Sequence, residues 1–111
     1  MLLDIKRCGS GWGGAHGHWI VDVENSIAYD IYDNRQPNVM ILPDISLLKL
    51  LDGCYVYAHP ECVCMDCQLD YVHVLNHGTQ RCVLNTDCGA YPENEALHGK
   101  LLKLIEYLPW K

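Results

Sequence analysis

Trp19-Ile-Val-Asp22-Val-Glu24-Asn-Ser26-Ile27-Ala-Tyr29-Asp30-Ile31 is the stretch that decides the fold. Trp19, Val21 and Val23 alternate with Asp22 and Glu24. After the polar turn Glu24-Asn25-Ser26, Ile27, Tyr29 and Ile31 alternate against Ala28 and Asp30. Successive strand side chains point to opposite faces, so a period of two on both sides of a turn predicts a β-hairpin. The chain is therefore built around an antiparallel sheet.

Towards the N-terminus, residues 2–8 continue the pattern, with Leu3 and Ile5 on one face and Asp4 and Lys6 on the other. The glycine-rich loop Cys8-Gly-Ser-Gly-Trp12-Gly13-Gly14-Ala-His16-Gly17 connects this strand to the hairpin. Towards the C-terminus, residues 34–38 form a polar loop. Pro43 and Asp44 then open a short helix over 45–52 that Gly53 stops. A short β segment follows at 54–58. Residues 69–75 and 80–84 flank Asn76-His77-Gly78 as a second hairpin. Leu97, Leu101, Leu104, Ile105 and Leu108 make one apolar stripe of a closing helix, with Lys100, Lys103 and Glu106 opposite. Pro92 and Asn94 mark its start and Pro109 its end. The expected fold is α+β, an antiparallel sheet of four or five strands with two helices packed on one face.

The chain has 111 residues, 50% of them hydrophobic and 20% charged, which suits one domain spanning 1–111 around one core. Its first seven residues already carry Asp4, Lys6 and Arg7, unlike a secretory leader. Pro43, Asp44, Ser46 and Lys49 break the apolar run 39–51, so no membrane span is expected. These readings place the protein in the cytoplasm, where thiols stay reduced. The seven cysteines are an odd number, which rules out complete internal pairing and points to thiols. Fourteen acidic against eight basic side chains give a net charge of −6, and no basic stripe is present. Direct nucleic-acid binding is not expected, whereas a basic protein partner would be steered in.

Six of the seven cysteines and three of the six histidines lie between 54 and 88. Cys64 and Cys67 have the spacing of a zinc knuckle, and His59, Cys62, Cys82 or Cys88 could complete four ligands. No second C-x2-C exists, and Cys62 and Cys64 would point to opposite faces of an extended chain. Zinc is therefore the alternative, with His59, Cys62, Cys64 and Cys67 as its ligands, and no cofactor is the main expectation. A dithiol redox site is disfavoured because Cys64-Met-Asp66-Cys67 precedes a strand, and Asp66 would oppose a thiolate. Cys8, Cys54 and Cys82 read as buried reduced thiols. His16-Gly-His18 reads as surface polarity rather than a chelating pair.

The glycine loop runs strand to strand and lacks the Lys-Ser/Thr pair of a phosphate loop. It reads either as a flexible connector or as a protruding segment that presents Trp12 and His16 to a partner, since a tryptophan covers a large area with few rotatable bonds. No strained nucleophile turn, H-E-x-x-H motif or catalytic carboxylate pair stands out, so an enzyme is not expected.

Gly11-Trp-Gly-Gly14 after a first strand, then a strand with Val21-Asp22, resembles emfourin-like inhibitors of thermolysin-type metalloproteases. Asp70-Tyr71-Val-x-Val74, the Gly78 turn and Leu101-x-x-Leu104-x-x-x-Leu108 resemble the C-terminal half of that family. The resemblance covers about half the chain, and residues 59–67 have no counterpart. If inhibition carries over, it implies the loop around Gly11 to Gly14. In size and acidity the chain is also similar in kind to the bacterial immunity proteins of contact-dependent growth inhibition systems, each of which blocks one toxin, often a basic nuclease. Both resemblances imply a stoichiometric blocker. The residues expected to touch the partner are Trp12, Gly13, Gly14, His16, Asp22, Glu24, Asp30 and Asp33. The alternative is a zinc-stabilised protein-interaction module built on the Cys/His cluster 59–88.

Overall fold

The computed structural model describes residues 1–9, 16–31, 39–57, 69–86 and 89–110. They form β1 (Leu2–Cys8), β2 (Gly17–Asp22), β3 (Ile27–Asp30), β4 (Val39–Ile41), a 3-10 helix (Ser46–Leu51), β5 (Val56–Tyr57), β6 (Leu69–Asn76), β7 (Thr79–Asn85), β8 (Tyr91–Pro92) and α1 (Glu95–Tyr107). Six strands make one antiparallel sheet in the order β4-β3-β2-β1-β6-β7. The α+β class stands, but the sheet is wider than expected. The three residues of β4 are too few to show alternation, and they join through backbone pairing of Ile41 with Ile27 and Val39 with Tyr29. The 54–58 segment contributes β5, which pairs with β8 in a separate ribbon.

One face of the sheet carries the core. Leu3, Ile5, Val21, Val72 and Val74 share one core with Leu48 and Leu51 of the 3-10 helix and Leu97, Leu101 and Ile105 of α1; where two helices were expected, the described residues hold one main helix and a 3-10 segment. Ile45, Leu48 and Leu51 are buried while Leu47 and Leu50 are exposed. That spacing of three suits 3-10 geometry, in which residues i and i+3 eclipse. The Asp44 side chain accepts a hydrogen bond from the Ser46 N–H at 3.0 Å before the first turn, and Gly53 at φ +88 ends the segment. Arg81, reaching from β7, donates to the Leu51 and Cys54 carbonyls and ties down the end of this helix. In α1 the expected cap is present: the Asn94 side chain accepts from the Ala96 and Leu97 N–H groups. Leu97, Leu101, Leu104, Ile105 and Leu108 are all buried.

Two turns set the registers. His77 (φ 49) and Gly78 (φ 81) give the β6–β7 hairpin two positive φ values in succession, the signature of a type I′ turn. In the first hairpin, residues 23–26 form the turn and Asp22 pairs with Ile27. Val21 therefore faces Ala28, and Trp19 faces Asp30. On β3 it is Ala28 and Asp30 that point into the core, while Tyr29 and Ile31 stay exposed. The apolar residues of the two strands thus lie on opposite faces of the sheet.

Arg7 and Asp70 close one end of the core face. Arg7 Nε and Nη2 donate to the two carboxylate oxygens of Asp70 at 2.8 and 3.0 Å. The guanidinium also sits 5.0 Å from the Trp110 ring centre. Trp110 donates from Nε1 to the Ile105 carbonyl at 2.7 Å, and a Cβ at Gly17 would meet its ring at 3.0 Å. Gly17 is therefore the residue type that lets the C-terminal tryptophan lie across β2.

Candidate functional site

Of the residues expected to touch a partner, His16 and the pair Asp22 and Glu24 lie at opposite ends of β2. Trp12, Gly13, Gly14 and Asp33 lie outside the described residues, as do His59, Cys62, Cys64, Cys67 and Cys88. His16 is exposed at the entry to β2, and Asp22 and Glu24 sit at its exit. The six residues of β2 span roughly 20 Å at about 3.3 Å per residue, so one small contact cannot use both groups. Asp30 corrects the expectation of an acidic surface contact there. It is 6% exposed and faces the core, because the turn places it opposite Trp19.

Asp22 shapes the turn beside it. One oxygen accepts from the Glu24 N–H at 3.1 Å and the Asn25 N–H at 3.3 Å, and the other from Asn25 Nδ2 at 2.7 Å. The bond from the Asn25 side chain is the main cause holding its pKa below the ordinary 3.8. Glu24 is exposed, with Oε1 3.8 Å from the Met1 amino group. Glu24 borders a concavity of about 570 Å³ with Met1, Leu2, Lys49 and Asp52.

Between these two ends lies the sheet face turned away from the helices. Its registers align Val39, Tyr29, Ile20, Asp4, His73 and Cys82 in one row across six strands. A second row reads Ile41, Ile27, Asp22, Leu2, Leu75 and Gln80. Leu2, Tyr29, Ile31, Val39 and Ile41 are all exposed on this face, Ile41 to 80%. In the centre, His18 Nε2 hydrogen-bonds Asp4 Oδ1 diagonally across β1 and β2. The apolar half of the face therefore lies over β3 and β4, with polar groups towards β1 and β6. Alternation on β3 was visible in the sequence, but its direction was not.

Cys8, Cys54 and Cys82 are the cysteines among the described residues. None of the three is buried, contrary to expectation: Cys8 is exposed at the end of β1, and the others are half-buried. Cys8 shares a concavity of about 360 Å³ with Lys6, Arg7, His16 and His18. Among the described residues no group of three or more His, Cys, Asp or Glu side chains could hold a metal ion. Among them, too, no helix is long and apolar enough to cross a membrane. Compared with known protein families, with curated proteins and with solved structures, the chain finds no match.

Proposed function

We propose that this chain is a small acidic binding protein of the cytoplasm that blocks a partner enzyme stoichiometrically, as a toxin immunity protein or a protease inhibitor does. The observation that carries this reading is the sheet face that no helix among the described residues covers, on which Leu2, Tyr29, Ile31, Val39 and Ile41 are exposed beside Asp22 and Glu24. Exposed apolar groups gathered on one rigid sheet and rimmed by charge are the composition of a protein-docking surface. The net charge of −6 favours a basic partner, such as a nuclease toxin, by speeding encounter.

The test is a titration. A purified basic nuclease toxin and, separately, a thermolysin-type metalloprotease are assayed as the chain is added. A blocker of the proposed kind abolishes activity with an endpoint at one equivalent, and Ile41→Lys together with Tyr29→Lys weakens it. Full activity at a large molar excess of the chain sinks the proposal for that enzyme class.

A further inference from the structure

The β5–β8 ribbon carries a surface of different chemistry, on the far side of β7 and independent of the sheet-face reading. Tyr57 pairs with Tyr91, Val56 with Pro92, and the Glu93 N–H donates to the Tyr55 carbonyl at 2.8 Å. Side chains alternate along both strands, so Val56 and Pro92 turn inward. Val56 packs on the core and Pro92 is buried. Tyr55, Tyr57, Tyr91 and Glu93 then share the outer face. The rings form a continuous ladder: Tyr55 to Tyr57 at 5.8 Å edge-on, Tyr57 to Tyr91 at 5.1 Å tilted, and Tyr91 to His98 at 5.1 Å stacked. The Tyr57 hydroxyl donates to Glu93 Oε1 at 3.4 Å. A concavity of about 380 Å³, bordered by Tyr55, Glu93 and Asn94, opens beside them.

Tyr91 packs against the core, but the Tyr55–Tyr57 end of the ladder does not belong to it. Tyr55 is 66% exposed and Tyr57 39%. Nor is Glu93 used up by its surroundings, because Asn94 caps α1 and Glu95 stands in its first turn. Among the described residues no lysine or arginine pairs with Glu93. Its carboxylate, beside two aromatic faces, makes a locally negative surface, and the same carboxylate pushes the Tyr57 phenol up. Ring faces attract cations through their quadrupole, and a flat guanidinium can stack on a ring while its N–H groups reach a carboxylate. We propose that Tyr55, Tyr57 and Glu93 form a binding site for the guanidinium of an arginine side chain presented by a basic protein.

The experiment uses the full chain and a small probe, acetyl-arginine amide, with acetyl-citrulline amide as its uncharged isostere. Ring resonances of Tyr55 and Tyr57 are followed by NMR during titration. The expected result is a saturable shift of both rings with the arginine probe, and binding of the citrulline probe that is weaker by roughly three- to tenfold. Glu93→Gln and, separately, Tyr55→Leu should each lower arginine affinity by a similar factor. Tyr55 is mostly exposed, so its variant keeps the fold, which the denaturation midpoint checks. Equal response to both probes, or undiminished arginine binding in either folded variant, overturns the proposal. The readout needs no partner enzyme, so it can fail or succeed apart from the blocker reading.

Discussion

At the scale of single residues, two carboxylates have roles that their neighbours in sequence do not announce. Asp70 is mostly buried and holds Arg7 with both oxygens. Removing it leaves a half-buried guanidinium over Trp110, so Asp70→Ala should cost about 2–3 kcal/mol in urea unfolding. Arg7→Met should cost less than Arg7→Ala, since methionine still covers the indole. Asp22 acts through its turn. Its folded pKa is lowered, so its contribution is complete above the ordinary value of 3.8 and disappears as pH falls through the folded value. Asp22→Ala should therefore destabilise at pH 6 by at most about 1 kcal/mol, the range for exposed hydrogen bonds. As pH falls from 3.8 through the lowered folded value, the gap between the unfolding midpoints of variant and wild type should narrow; a gap that stays constant throughout acid titration would show that the carboxylate charge plays no part. In the sequence Asp22, Asp30 and Asp70 look alike, one acid each in a strand. The local turn makes Asp22 a turn former, the register of the first hairpin buries Asp30, and only Asp70 depends on a strand distant along the chain.

At the scale of elements, the helices were the more legible part. The stripe from Leu97 to Leu108 depends on spacing within one segment, and it packs as that spacing requires. Leu104→Ala should lower stability by about 2–5 kcal/mol, whereas Lys103→Ala on the exposed side should change it by less than about 0.5 kcal/mol. Should Leu104→Ala leave the midpoint unmoved, the stripe is not core. The strands were legible as strands but not as faces. Ile27, Tyr29 and Ile31 form an apolar row as good as Trp19, Val21 and Val23, and the four-residue turn sends the two rows to opposite sides. A one-residue change of register reverses every side chain, and the turn length that fixes it is weakly encoded. The exposed apolar patch over β3 and β4 was missed for that reason. Half of the aromatic ribbon was legible, as the β segment at 54–58 that holds β5, but its partner β8 is two residues long, below what a period can reveal.

At the scale of the whole molecule, the excess of six negative charges acts over distances longer than any contact described. Reversing Asp22 and Glu24 together should slow association with a basic partner and flatten its dependence on salt. Stopped-flow rates between low and physiological ionic strength measure this. An association rate indifferent to salt in the unaltered chain would remove electrostatics from the proposed function while leaving the apolar docking face. The order β4-β3-β2-β1-β6-β7 has a consequence of its own for how the chain reaches this state. β1 sits mid-sheet, with β2 close behind it in the chain and β6 more than sixty residues further on. During synthesis the first strands can zip together early, but the other side of β1 stays an open template until β6 has left the ribosome. Folding speed is then limited by closing that long loop, and in the interval the bare strand is where a nascent chain would capture another.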